Sequence, residues 1–329
     1  MSKNYVALSL LLFVVLSGCT SPPQSEIKTI GIAQWISSEA YNTNIQGFKD
    51  ALAENGLIEG RDVRFITENA QTDKEKQREI IRSFVNKKVD LIYTLSTPGT
   101  LLAQGFTKEI PIVFSVVTYP VEVGLVQSLN SSGNNFVGTR NYVSPPLQYY
   151  TFERLYPYTK TLAFAHRRGE PNSAIQYAEF KKLLDARNIQ IIDVSAVNLA
   201  DLRLQLNTVR DQIDSIYLAC DTMIQDGGEE VVIEFSLVYK KPTFSCLDSG
   251  VPKGALVSNF IDVYSMGKLS GEKAVLILKG AKPSWLKTES LPGTSIKINL
   301  ETARKIGIKV PSDLLIDAEE IIGQKRYEN

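Results

Sequence analysis

Val89-Asp90-Leu91-Ile92-Tyr93 and, farther along the chain, Ile213-Asp214-Ser215-Ile216-Tyr217 share one pattern: an Asp near the start of an apolar run that closes on Tyr. A second pair follows in the same order, with Ile110-Pro111-Ile112-Val113-Phe114-Ser115 matched by Lys241-Pro242-Thr243-Phe244-Ser245. Two matches in one order, with a helical stretch between them in each half, mark an internal repeat. Working outward, strands are expected at 27–35, 63–67, 89–95 and 112–117, with helices at 39–55 and 72–87 between them. The order then starts again, with strands at 161–166, 189–194, 213–219 and 243–247 and helices at 173–187 and 199–210. Near-continuous apolar strands separated by helices imply parallel sheets covered on both faces. The expected fold class is α/β, with two similar lobes at 27–140 and 141–275. Residues 276–329 are expected to cross back, with a helix at 299–306 and the exit Ile308-Lys309-Val310-Pro311 packing on the first lobe.

The N-terminus sets the compartment. Lys3 precedes an apolar run from Val6 to Leu16, too short to span a bilayer and typical of a signal peptide, here 1–18. Leu16-Ser17-Gly18-Cys19 resembles a bacterial lipobox, which implies lipidation at Cys19 and a place in the cell envelope facing the periplasm or the extracellular side. Residues 19–26 are polar, proline-bearing and unpatterned, and read as a tether. Lys plus Arg and Asp plus Glu number 36 each, so no basic field invites nucleic acid. Beside Cys19 stand Cys220 and Cys246, read as two buried thiols, with a disulfide as the alternative in an oxidising compartment.

Ligands of open parallel sheets gather beyond the C-terminal ends of strands. Those ends carry the candidate contacts. Ser96 and Thr97 precede Pro98 at a helix start, where free N–H groups and hydroxyls suit a carboxylate; plain N-capping is the other reading. Asp221, at the equivalent place in the second half, suits an ammonium or serves as a cap. Together they match a zwitterion. Glu170, Asn172 and Ser173 begin a helix and either cap it or bind. Thr118, Thr222 and Asp248 lie at further strand ends, and Trp35 and Tyr119 can stack on a flat side chain or simply pack. His166, the lone histidine, has no nucleophile or metal partner in the pattern.

These residues sit within a longer ordered set: Ile30-Gly31-Ile32, Gly47-Phe48, Gly56-Leu57-Ile58-Glu59-Gly60, Thr97-Pro98, Pro120, Gly138, Gly169-Glu170, Asn172-Ser173, Asp221 and Lys253-Gly254-Ala255. The set resembles the ABC transporter substrate-binding proteins of the tryptophan/tyrosine-binding type, over nearly all of the mature chain. The resemblance implies two Rossmann-like lobes joined by a hinge, as in type I periplasmic binding proteins, and closure over an aromatic or other hydrophobic amino acid. It places Ser96, Thr97, Asn172, Ser173, Asp221 and Asp248 in the ligand shell. One departure bears on the ligand: the family's Thr-Asp-Pro is Thr118-Tyr119-Pro120 here.

The expected function is capture of a small polar or zwitterionic solute and delivery to a permease with its ATPase. A sensory receptor of the same fold, signalling to a membrane kinase or cyclase, is the alternative. No phosphate loop, metal cluster or nucleophile elbow argues for an enzyme. The expected partners are the solute, the permease and ATPase, and the membrane through the lipid anchor. The chain is expected to act as a monomer, with no nucleic acid, cofactor or metal.

Overall fold

The computed structural model describes residues 26–324. The expected signal peptide, Cys19 and most of the tether lie outside the described residues. The first lobe runs β1 (Lys28–Gln34), α1 (Glu39–Glu54), β2 (Val63–Asn69), α2 (Lys74–Asn86), β3 (Leu91–Leu95), α3 (Thr97–Leu101), β4 (Ile112–Val117) and β5 (Phe136–Arg140). The second runs α4 (Pro145–Leu155), β6 (Thr161–Arg167), α5 (Pro171–Asp185), β7 (Gln190–Ala196), α6 (Leu199–Val209), β8 (Ser215–Leu218), α7 (Glu229–Tyr239), β9 (Thr243–Ser245), α8 (Gly250–Lys253) and β10 (Val257–Phe260). Beyond these come α9 (Val263–Leu278), β11 (Ser295–Asn299), α10 (Leu300–Ile306), α11 (Ser312–Asp317) and β12 (Glu320–Ile322).

The repeat has a physical basis. The first sheet is ordered β2-β1-β3-β4-β5, and the second contains the same order as β7-β6-β8-β9-β10, extended by β11 and β12. Asp90 Oδ2 accepts from the Thr29 N–H at 2.7 Å, and Asp214 Oδ2 accepts from the Thr161 N–H at 2.8 Å. Each Asp therefore satisfies the backbone where its lobe's first strand begins. Tyr93 and Tyr217 end in buried hydrogen bonds, the first to Asn44 and the second to Gln148. The shared pattern is a shared solution to closing the start of a parallel sheet, where free N–H groups need acceptors.

The chain crosses between the lobes at 141–144, at 261–262 and again at 290–294. This corrects the expected boundaries. Helix α9 belongs to the first lobe, not the second: it lies along α1 so closely that a Cβ on Gly267 would fall 1.9 Å from Asn44 O. Thr139 and Ser270 hydroxyls, 2.7 Å apart, fix the same helix to β5. The terminal segment, expected on the first lobe, builds on the second. Strand β11 pairs antiparallel with β10, and Ile298, Ala303, Ile306 and Leu314 fill the second lobe's core. Without β11, β10 would be the edge of that sheet.

Cys220 and Cys246 correct the preferred reading of two thiols. Strands β8 and β9 run side by side with Leu218 opposite Ser245, and the cysteines just beyond are joined as a disulfide with Cα atoms 6.0 Å apart, an ordinary bridging distance. Among the described residues no helix is long and apolar enough to cross a membrane.

Candidate functional site

The C-terminal ends of β1, β3 and β4 face those of β6, β8 and β9, and the lobes meet there. Three adjoining cavities run between them. The smallest, about 10 Å³, is lined by Tyr41, Ser96, Thr97 and Thr118 from one lobe and Glu170, Asn172 and Thr222 from the other. The next, about 20 Å³, reaches Val116, Asn141, Asp248 and Ser249. The outermost, about 500 Å³, opens to solvent past Thr43, Asp248, Lys253 and Lys297. Gln225 lines all three. The enclosed pair has room for about one water each.

Two residues of the first lobe's rim hold strained backbone. Ser96 has φ 72 and ψ 156, and Val116 has φ 57. Positive φ is costly for any residue with a Cβ and most so for a β-branched one. Val116 occupies an irregularity in the β4–β5 register between Phe114 and Val117, which turns the strand end toward the cleft. Ser96 Oγ accepts from the Gly99 N–H at 3.2 Å and so caps α3.

The second lobe supplies the charge. Glu170 is 5% exposed and its carboxylate accepts from the Thr222 N–H at 3.1 Å and from the Thr222 hydroxyl. Burial, and next the nearby Asp221, push its carboxyl up to about 7. Asp221 is 1% exposed and fully occupied: Oδ2 accepts from the Arg167 N–H at 2.7 Å and the Ser173 hydroxyl at 3.0 Å, and Oδ1 from the Ile224 N–H at 2.9 Å. Burial raises its pKa as well. Asp221 therefore organises the loop and does not reach the cavity, and Ser173 is spent on it. Glu170 is the carboxylate that faces inward.

Two buried polar atoms here have no partner. The Tyr41 hydroxyl, on the first turn of α1, and Asn172 Oδ1, at the start of α5, both belong to side chains lining the smallest cavity. Asn172 Nδ2 is already used, donating to Cys220 O at 2.8 Å. Burial, and next Glu170, raise the Tyr41 pKa, so the phenol is a neutral donor beside a carboxylate. A buried polar group without a partner costs roughly 1–3 kcal/mol and points to something that will satisfy it. The sequence reading missed Tyr41, Val116, Asn141 and Gln225. Tyr41 was the findable one, since Ser38 caps α1 by accepting from the Tyr41 N–H at 3.2 Å and so fixes it in the first turn at a strand end.

The aromatic candidates lie elsewhere. Trp35 is in the first lobe's core, and Tyr119, 1% exposed, donates its hydroxyl to Glu179 Oε2 at 2.6 Å on the opposite lobe. Neither lines any of these three cavities. Thr118 does, while its carbonyl accepts from the Arg140 guanidinium at 3.3 Å. Asp248 reaches the two outer cavities and pairs with Lys297 at 3.0 Å. His166 pairs with Asp193 at 2.7 Å, away from the cavities. Two cations touch residues that line the smallest cavity: Arg167 Nη1 is 3.3 Å from Thr222 Oγ1, and Arg140 donates to Thr118 O.

This arrangement has close relatives. A tyrosine-binding protein of Clostridioides difficile (strain R20291) is 29% identical over 282 residues, covering 86% of this chain and 81% of the relative. A Streptococcus pneumonia ABC domain solved in complex with L-Trp superposes with a TM-score of 0.86 at 25% identity, covering 90% of this chain and 100% of the other. The ligand-free, open structure of a Clostridium difficile substrate binding protein with adhesive properties gives a TM-score of 0.72 at 27% identity, covering 90% and 99%. At similar identity, the chain as a whole superposes better on the L-Trp complex than on the open structure. The ABC transporter substrate binding protein family model matches residues 29–322, and the chain belongs to that family.

Proposed function

We propose that the protein captures a zwitterionic amino acid, an aromatic one first, between its lobes and delivers it to the permease of an ABC importer. The observation that carries this reading is the pair of unpartnered atoms, Tyr41 OH and Asn172 Oδ1, which stand on opposite lobes and line one cavity with Glu170. An ammonium fits the acceptors of the second lobe, Asn172 Oδ1 and the Glu170 carboxylate. A carboxylate fits the donors of the first, the hydroxyls of Tyr41 and Thr97. Recognition of the carboxylate by neutral donors follows from the mouth lysines being engaged: Lys297 pairs with Asp248 and Glu320, and Lys253 with Glu229 and Glu230.

The enclosed cavities are too small for an amino acid as the lobes now stand, so entry requires the lobes to part and occupancy to spread them slightly. The crossings at 141–144, 261–262 and 290–294 are short and clustered where such a hinge belongs. Ligand then favours closure by its greater affinity for the state in which both lobes touch it. The named ligands of the relatives, tyrosine and L-Trp, support an aromatic amino acid. Cys19, in Leu16-Ser17-Gly18-Cys19, would hold the receptor at the membrane by a lipid anchor.

A thermal-shift screen of the free amino acids with the chain from Thr20 onward tests the reading. L-tryptophan, L-tyrosine or L-phenylalanine should raise the melting temperature; silence from every amino acid would overturn it.

A further inference from the structure

The Cys220–Cys246 disulfide lies in the wall of the cleft, and nothing in the capture mechanism above uses it. We infer that this bridge is a positioning element of the ligand site, holding the irregular segment at 220–228 against the loop at 246–249 at the spacing that the closed cleft requires. The inference rests on the proposed function and adds a determinant of affinity to it.

The location carries the argument. Cys220 lines the smallest cavity beside Glu170 and Asn172, and Cys246 lines the next beside Asp248. The bridge therefore joins the walls of adjoining cavities. From Cys220 the chain passes directly to Thr222, which holds the Glu170 carboxylate, and on to Gln225, which lines every cavity of the cleft.

The second lobe does not need this bond to fold. Its sheet already packs on both faces, through Phe164, Tyr217 and Phe244 on one and Ala165, Leu202 and Ile216 on the other. A core of that extent does without a staple. The segment after Cys220 is a different matter: it turns helical at Thr222 and passes through a π-helical turn, Ile224–Gly228, before α7. Asp226 (φ −105, ψ 59) and Gly227 (φ 94) leave helical geometry just before α7, so the backbone carrying Gln225 is irregular. Cys220 is clamped toward α5 by Asn172 Nδ2 on its carbonyl at 2.8 Å and Gln176 Oε1 on its N–H at 3.1 Å. The bridge supplies the matching clamp toward Asp248. With it the two segments are ordered before ligand arrives, and the entropy of ordering them is not charged to binding.

The test uses the chain from Thr20 onward, which contains every described residue and, of the cysteines, only this pair. Intact mass should show the chain lighter by two hydrogens; free thiols in protein purified under oxidising conditions would overturn the inference. L-tryptophan and L-tyrosine are then titrated into wild type, reduced wild type, re-oxidised wild type and the C220A/C246A variant. The expected result is about tenfold weaker affinity on losing the bridge, recovered on re-oxidation, with the variant indifferent to reductant. A role in stability alone would lower the melting temperature and leave affinity unchanged, and that outcome overturns the inference. If neither amino acid binds even the oxidised protein, the ligand reading fails, and the bridge is judged by amide exchange instead. Faster exchange confined to 220–228 and 246–249 on losing the bridge sustains it, and unchanged exchange there rejects it.

Discussion

Tyr119, at the end of β4 in the first lobe, donates its hydroxyl to Glu179 on α5 of the second lobe at 2.6 Å. The bond spans the cleft and exists only while the lobes are together. Burial, and next the hydrogen bond to Glu179, push the Tyr119 pKa up, so the phenol keeps its proton throughout the physiological range. Where the family commonly has an acidic residue, this chain has a neutral donor aimed at a carboxylate across the gap. A closing force independent of ligand results. Tyr119→Phe should therefore open the ligand-free protein, read as a larger radius of gyration in solution scattering. It should also weaken amino-acid affinity by about 1 kcal/mol, the usual worth of such a bond. An unchanged radius would show that the bond does not bias closure.

Glu170 makes binding pH-dependent. Its carboxyl titrates at about 7, against an ordinary 4.5. An ammonium is held by the ionised form, so affinity should rise with pH through 7, and Glu170→Gln should flatten the profile. Stability has the opposite sign. A carboxyl whose folded pKa is raised binds a proton more readily folded than unfolded, so the ligand-free protein should lose stability as pH climbs from 4.5 to 7. Melting temperature against pH for wild type and Glu170→Gln checks both the slope and its origin.

Asp221 should behave as a structural residue. Its carboxylate satisfies the Arg167 and Ile224 N–H groups and the Ser173 hydroxyl. Asp221→Ala strands those donors, and unfolding by denaturant should show a loss of about 2–4 kcal/mol. If stability is kept and affinity alone collapses, Asp221 contacts the ligand and Glu170 has been assigned its role in error.

The close contact of α1 and α9 predicts a second stability defect. Gly267→Ala sets a methyl against Asn44 O, and a Cβ at Gly47 would meet Tyr264 O at 2.2 Å. Backbone cannot yield as a side chain can, so Gly267→Ala should cost about 3 kcal/mol or more in chemical denaturation. A near-neutral result would place α9 farther from α1 than described.

The two lobes were legible in the sequence because Asp90 and Asp214, with Tyr93 and Tyr217, do one job twice and so leave one pattern twice. The crossings were not, because α9 resembles any amphipathic helix until Gly267 and Gly271 are seen to face α1, and which lobe it joins is a long-range matter. The strand ends gave most of the rim, including Thr97, Glu170 and Asn172. Roles within it escaped, since Asp221 and Glu170 are alike in sequence and are told apart only by which carboxylate lines the cavity. Tyr119 and Trp35 read as stacking surfaces because a one-dimensional pattern does not show that one reaches Glu179 and the other the core.

Isothermal titration of L-tryptophan and L-tyrosine into wild type, Tyr41→Phe and Asn172→Ala bears most directly on a cleft whose unpartnered atoms await a zwitterion. Binding by wild type, weakened in each variant by roughly 1–2 kcal/mol with folding intact, is the predicted result. Tight binding untouched by either substitution would contradict it.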